Sequence, residues 1–194
     1  MKLAMNMIRQ YADIPVTPEE YTQRMIMTGT AVEGTEDISG GMEKVVVGRV
    51  LTCTDVEGTH LHECTVDVGG PETLHIVCGA PNVAAGQLVP VALDGAHLPG
   101  GVKIKKGKMR GEVSNGMLCS GPELDVPTEL YPNIEEKGIL VFHEDYPLGA
   151  DVKPILGIDD TAVDFEILAN RPDCLCAIGI ARETAAALDT EFHA

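Results

Sequence analysis

Residues 45–53 read VVVGRVLTC, a short run of β-branched and apolar side chains that is typical of a strand. Similar runs recur over roughly 100 residues, and turns rich in glycine and proline, such as Gly69-Gly70-Pro71 and Pro99-Gly100-Gly101, separate them. Six strands are predicted, at residues 45–53, 62–68, 73–78, 88–93, 117–119 and 138–143. Many short strands in one segment favour a β-barrel, because closure removes exposed sheet edges.

Helical signals flank this β-rich segment. Thr17-Pro18-Glu19-Glu20 offers an N-cap, a first-turn proline and a capping-box glutamate, so a helix is predicted from there to Gly29. Residues 162–168 alternate as a strand does, and a second helix is predicted to open at Asn170-Arg171-Pro172-Asp173. The apolar face of that helix would comprise Leu175, Ile178, Ala181, Ala185 and Leu188.

The two flanks are each about 40 residues long, which is too short to bury a secure core alone. We therefore expect residues 1–39 and 154–194 to fold together as the two halves of one small, discontinuous α/β domain. Residues 40–153 would form the barrel that is inserted between these halves. The predicted fold class is thus mainly β with α+β flanks.

Acidic residues dominate the composition, because 30 Asp and Glu against 14 Lys and Arg give a formal net charge of −16. Such a total argues against a nucleic-acid partner, since phosphate binding relies on Lys and Arg. The distribution is uneven, however, because no acidic residue occurs between Asp94 and Glu112. Five cations lie there within eight positions, and we call them the basic strip: Lys103, Lys105, Lys106, Lys108 and Arg110.

Two further patterns concern location. No apolar run approaches the roughly 20 residues of a membrane-spanning helix, and the opening residues MKLAMN lack the apolar core of a signal peptide. The six cysteines are spread mostly one per apolar stretch, which favours buried reduced thiols over a disulfide framework. They are Cys53, Cys64, Cys78, Cys119, Cys174 and Cys176. A cytoplasmic location with no membrane partner is expected.

Several blocks of the central segment resemble the tRNA-binding domain family, and they occur in the order of that family. The blocks are Cys78–Asn82, Val89–Leu93, Pro99–Gly101, Ile104–Gly111 and Ser114–Ser120. The flanks resemble the N-terminal region of the bacterial phenylalanyl-tRNA synthetase β-chain family. That likeness lies in Thr28–Glu33, Phe165–Ile167, Asn170–Leu175 and Gly179–Glu183.

This resemblance implies an oligonucleotide-binding β-barrel that contacts tRNA through the basic strip together with Ser114 and Asn115. It implies no catalytic residue, no metal ligand and no cofactor within these residues. In the parent α2β2 enzyme, ATP and magnesium serve to attach phenylalanine to its tRNA, and the α chain and the rest of the β chain are the protein partners. The loop Glu57–His62 departs from the lysine-bearing loop of the family, so weaker RNA contact is expected there.

Other functions are compatible with the same pattern. Taken alone, the basic strip is equally typical of a solvated strand edge, since edge lysines block aggregation. A free-standing tRNA-binding or chaperone-like protein would share the barrel, and so would a purely structural docking module of the synthetase. The three phenylalanines lie outside the basic strip and there is no tryptophan, so we expect contacts to the RNA backbone rather than base stacking.

The sequence gives only weak indications of a metal-binding or catalytic site. His60, His62 and Cys64 are residue types that bind zinc, yet they alternate along one predicted strand without a second ligand pair. Ser120 and the carboxylates Asp159 and Asp160 have no partner at a spacing that catalysis would need. The sequence therefore predicts binding without catalysis.

Overall fold

The computed structural model describes residues 1–109, 111–126 and 138–193, and this part of the chain is mainly β, with antiparallel sheets and a few helices. The strands are β1 Lys2–Ala4, β2 Ala31–Asp37, β3 Glu43–Asp55, β4 His62–Asp67, β5 Leu74–Cys78, β6 Leu88–Leu98, β7 Val102–Lys103, β8 Gly107–Met109, β9 Glu112–Ser114, β10 Gly116–Leu118 and β11 Thr161–Glu166. The α-helices are α1 Met5–Arg9, α2 Pro18–Met27, α3 Val152–Ile155 and α4 Ala177–Leu188. Single 3-10 turns cover Pro99–Gly101, Pro122–Leu124 and Pro172–Cys174.

The chain divides into two compact units. One comprises residues 1–38 and 159–194, and the other comprises residues 39–158. None of the helices in the described ranges has the length and apolar character that crossing a membrane would require.

The larger unit is built on a sheet with the strand order β10-β6-β3-β4-β5, and β7 pairs with β6. Every pairing in it is antiparallel. Within the described residues, no ladder joins the two end strands β5 and β10, so the sheet is not a closed barrel. Its buried side chains form two clusters, one around Val47 and Leu88 and the other around Val66 and Ile76.

Five of the six predicted strands of this segment are confirmed, as β3, β4, β5, β6 and β10. The strand predicted at residues 138–143 is wrong, because this segment makes only an isolated bridge between Phe142 and Leu88. Its backbone amides reach three different partners instead of one strand. Ile139 N–H donates to the Asn82 side chain, Leu140 N–H to the Cys119 carbonyl and Phe142 N–H to the Leu88 carbonyl.

The smaller unit has the three-stranded antiparallel sheet β1-β11-β2. The central strand, β11, comes from the C-terminal segment, and both of its neighbours come from the N-terminal one. Phe165 of β11 is fully buried, and its ring meets Tyr21 of α2 edge to face with centroids 6.5 Å apart.

The sequence predicts helices α2 and α4 of this unit with different success. The start of α2 is confirmed, because the Thr17 hydroxyl accepts a hydrogen bond from Glu20 N–H at 3.3 Å, and Gly29 follows the helix with φ +95°. The apolar face predicted for α4 is wrong in part. Leu175 precedes the helix and is 61% exposed, and Ile178 is 38% exposed. Ile180 and Thr184 are buried in their place, so the face that α4 presents to the core is rotated from the predicted one, although it keeps Ala181 and Ala185.

The buried hydroxyl of Tyr21 leads to a testable prediction. It lies 2.8 Å from the Thr184 hydroxyl, which itself donates to the Ile180 carbonyl. Replacing Tyr21 by phenylalanine leaves Thr184 without this partner, so the free energy of unfolding at neutral pH is expected to fall by about 1 kcal/mol. Urea titration of the variant measures this change, with Tyr11→Phe as the control for a half-buried tyrosine.

The same tyrosine adds a pH dependence. Burial raises the pKa of Tyr21 to about 12. In the unfolded chain the phenol loses its proton near pH 10. Its contribution to stability is therefore complete below about pH 10 and is lost as the pH rises toward 12. Tyr21→Phe should lack this alkaline loss, and an identical alkaline decline in variant and wild type would contradict the assignment.

Candidate nucleic-acid interface

Four members of the basic strip lie on the larger unit and are exposed to solvent. Lys103 ends β7, Lys105 and Lys106 lie in the connection to β8, and Lys108 lies in β8. The fifth, Arg110, lies outside the described residues. Alternation explains the outward direction of the lysines, because Ile104 between Lys103 and Lys105 packs against the buried cluster around Val47.

Backbone hydrogen bonds fix the segment that carries these lysines. Gly95 N–H donates to the Ile104 carbonyl at 2.8 Å, and Ile104 N–H donates to the Ala96 carbonyl at 2.9 Å. Lys106 N–H donates to the Asp94 carboxylate at 2.9 Å. The Asp94 carboxylate therefore accepts from the backbone of this segment.

The hairpin of β8 and β9 is held against β5 by three contacts. The His75 ring donates from Nδ1 to the Val113 carbonyl at 2.7 Å. Val77 N–H donates to the Ser114 hydroxyl at 3.1 Å, and Asn115 N–H donates to the His75 carbonyl at 2.8 Å. Lys108 thus stands on a hairpin whose far strand is anchored to the sheet.

A groove of about 350 Å³ lies between the hairpin and the sheet. Apolar side chains, Val77, Ile104 and Met117, contribute to its lining, and Lys103, Lys105 and Lys108 lie along it. Across residues 1–109, 111–126 and 138–193, the lysines found in ion pairs are Lys2 and Lys153, so no described acid neutralises the strip. An apolar lining with free ammonium groups suits a chain of phosphates with its sugars.

Ser114 and Asn115 were predicted to add neutral RNA contacts. The Ser114 hydroxyl already accepts from Val77 N–H and donates to the Gly116 carbonyl at 2.9 Å. Its first role is therefore to hold the hairpin in place. Asn115 is half-buried beside the groove and uses its backbone amide for the bond to His75.

The residues suspected of catalysis serve local structure. The Ser120 hydroxyl and its backbone amide both donate to the Glu123 carboxylate at 2.7 Å, which is a capping arrangement for the 3-10 turn Pro122–Leu124. The Asp160 carboxylate accepts from the backbone amides of Asn6 and Thr161. These hydrogen bonds account for both groups without a reacting partner.

The smaller unit also contains a cluster of side chains of metal-binding type that no sequence motif indicated. Among the described residues, Asp173, Cys174 and Glu183 bring their ligand atoms within 4.8 Å of one another. The guanidinium of Arg171 lies where a metal cation would have to bind, since its Nη2 is 2.8 Å from both the Asp173 and the Glu183 carboxylates. Hydrogen bonding from Arg171 lowers the pKa of Asp173 to about 2. A fixed guanidinium makes this cluster an ion-pair network rather than a cation site.

His60, His62 and Cys64, the residues of zinc-binding type, have different surroundings in the fold. His62 is paired with Asp55, with 2.9 Å between Nδ1 and the carboxylate. Cys64 is fully buried, whereas His60 is exposed. A histidine in contact with a carboxylate and a buried thiol are typical of a folded strand pair rather than of a zinc site.

Comparison with known proteins identifies the family. The family described as putative tRNA binding domain matches residues 45–151, which is more than half of the chain and includes the whole basic strip. The chain belongs to this family. The likeness to the tRNA-binding domain family that the central blocks predicted is thereby confirmed.

Relatives extend the similarity over the flanks. The phenylalanine–tRNA ligase beta subunit of Clostridium acetobutylicum is 44% identical over 100% of this chain and 24% of its own length. The same subunit of Trichormus variabilis is 46% identical over 99% of the chain and 23% of its own length. The predicted resemblance to this β-chain family is confirmed. The chain spans about a quarter of the length of these curated relatives.

Among solved structures, a MetRS related protein from Pyrococcus horikoshii matches 55% of this chain and 85% of its own, with 22% identity and a TM-score of 0.38. A likeness at that score supports no conclusion about this protein.

Proposed function

We propose that the chain binds tRNA through the basic strip and the groove beside β8 and β9, as part of a phenylalanine–tRNA ligase beta subunit. The observation that carries this proposal is a row of exposed lysines that no acid of the described residues neutralises, along an apolar groove inside the segment that matches the tRNA-binding family. Phosphates would follow the basic strip, where about three of Lys103, Lys105, Lys106, Lys108 and Arg110 would contact them, and Ser114 and Asn115 would line the approach.

The fold proposed for the larger unit is an oligonucleotide-binding barrel. Two hydrogen bonds near its open side support this, namely Asn115 N–H to the His75 carbonyl and Val77 N–H to the Ser114 hydroxyl, because they draw the start of β10 toward β5. We also propose that this barrel is inserted into a discontinuous α/β domain formed by the flanks. The division of the chain after residues 38 and 158 supports that organisation.

The proposed setting is the cytoplasmic α2β2 ligase. There the α chain and the rest of the β chain would be the protein partners, and ATP and magnesium would serve the attachment of phenylalanine to its tRNA elsewhere in the enzyme. Similarity over nearly the whole chain to named beta subunits supports this setting. The contribution of these residues would be to bind tRNA, which raises its local concentration near the remaining domains.

Titration of the protein with total tRNA at two salt concentrations tests the proposed function. If about three cations meet phosphates, log K should fall against log salt with a slope near −2 for single-stranded contacts, or near −3 for duplex contacts. Binding should be weak and strongly salt-sensitive, about 16-fold weaker at about 0.2 M salt than at about 0.05 M for a slope of −2. Absence of binding at both concentrations would favour the docking-module alternative.

A further inference from the structure

The larger unit holds three cysteines of one buried cluster on the adjacent strands β3, β4 and β5. Cys64 and Cys78 belong to the cluster around Val66 and Ile76, and Cys53 packs against it. Cys53 and Cys64 are directly opposite each other in the antiparallel ladder of β3 and β4. Residues that are directly opposite in such a ladder point to the same face of the sheet.

We propose that Cys53 and Cys64 form a redox modification site, at which a hydroperoxide oxidises the two thiols to an intramolecular disulfide. This site is independent of RNA binding, and the disulfide would link β3 to β4 three residues before Val56, where the loop begins.

The backbone geometry already suits this bond. Opposite residues of an antiparallel pair have Cα atoms about 4.5 or 5.5 Å apart, according to their place in the hydrogen-bond pattern. Disulfides span Cα separations of about 4.4–6.8 Å, so either arrangement lies within range. No strand has to move for the sulfurs to join.

A side-chain contact along the same ladder shows that opposite side chains on this face reach each other. The next pair on that face, Asp55 and His62, is also directly opposite, and the two side chains lie in contact at 2.9 Å. Burial, together with the neighbouring Cys53 thiol, raises the pKa of Cys64 to about 12.

Cys78 is a poorer partner for Cys64. Cys64 is opposite Ile76 in the β4–β5 ladder, so Cys78 is displaced by two residues along the strand. Diagonal neighbours of this kind have Cα atoms about 7–8 Å apart, which exceeds the span of a disulfide.

The two thiols differ in access, and the difference sets the order of the steps. Cys53 is partly exposed, whereas Cys64 is fully buried. A hydroperoxide would therefore first oxidise Cys53, transferring one oxygen to its sulfur to give the sulfenic acid and releasing water when the oxidant is hydrogen peroxide. The Cys64 sulfur then attacks the Cys53 sulfur, the S–S bond forms, and the sulfenic oxygen leaves as a second water with the thiol proton. Two thiols and one peroxide thus yield one disulfide and two waters.

The experiment uses the fully reduced, folded protein and hydrogen peroxide as the oxidant. After oxidation, the protein is denatured, alkylated with N-ethylmaleimide, digested and analysed by mass spectrometry. The peptides of Cys53 and Cys64 should appear as one cross-linked species that is lighter by two hydrogens than their sum and that dithiothreitol separates. The exposed Cys176 reports that the oxidant has acted, and the buried Cys119 should remain free to be alkylated.

Two variants separate a specific pair from general oxidation. In Cys53→Ser, Cys64 should remain a free thiol after the same treatment, because no sulfenic acid forms beside it. In Cys64→Ser, Cys53 should be trapped as a sulfenic acid by dimedone. If Cys64→Ser does not fold, Cys53→Ser carries the test alone, because Cys53 is only partly buried. Oxidation of Cys53 with Cys64 still fully alkylated, or linkage of Cys53 to any other cysteine, would overturn the proposal.

Discussion

Replacing Lys105, Lys106 and Lys108 together by alanine is expected to weaken tRNA binding on the order of 50-fold at about 0.15 M salt. Each single-stranded phosphate contact releases about 0.7 of a counterion, so three contacts contribute about 1.7 log units at this salt relative to 1 M. The slope of log K against log salt should become flatter by about 2. All tRNAs should be affected alike, because phosphate contacts carry no sequence information.

The triple variant should fold normally. All three side chains are exposed and, in the part of the chain that is described, belong to no ion pair, so each substitution should change stability by less than about 0.5 kcal/mol. The charge-matched control replaces Lys2, Arg24 and Lys153 by alanine. It lowers the net charge by the same amount but leaves the groove intact. Equal weakening in both triple variants would show that tRNA responds to total charge rather than to the basic strip.

Replacing Gly179 by alanine is expected to lower the free energy of unfolding of the smaller unit by more than about 3 kcal/mol. A Cβ at this position would overlap the Asp173 carbonyl oxygen and lie 3.1 Å from the Cα of Cys174. Both are backbone atoms and neither can rotate away, so α4 would have to separate from the turn Pro172–Cys174.

Amide hydrogen exchange of β11 and α4 measures this loss. Gly34→Ala in β2 is the matched control, since no atom lies within 4 Å of the Cβ that it would add. Protection should fall strongly in Gly179→Ala and little in the control. Equal protection in the two variants would mean that the turn moves aside without cost.

The sequence predicted the elements whose determinants are local. The start of α2 rests on a hydrogen bond between Thr17 and Glu20, three residues apart, so the capping pattern was sufficient. The strands of the larger unit followed from β-branched runs and glycine-rich turns. The position of the strip was equally predictable, because alternation with Ile104 directs its neighbouring lysines outward.

Elements with non-local partners were harder to predict. Residues 138–143 have strand-like composition, but their amides bind to Asn82, Cys119 and Leu88, and no pattern within the segment reveals such partners. The α4 face was misassigned in part because the 3-10 turn before it delays the helix until Ala177. Leu175 therefore lies outside the helix, and the 3.6-residue spacing that placed it on the face of α4 does not apply to it.

By itself, the sequence determined the family, the mainly β character and a row of cations at residues 103–110, because these depend on residue types and short spacings. Only the tertiary structure decided which strands pair and which side chains come into contact. It inserted β11 between β1 and β2, turned Ser114 inward to anchor the hairpin, placed the Arg171 guanidinium between Asp173 and Glu183, and set Cys53 opposite Cys64. The reason is physical: strand register and the closing of long loops depend on the sum of many contacts across the core, and one window of sequence contains only one side of each contact.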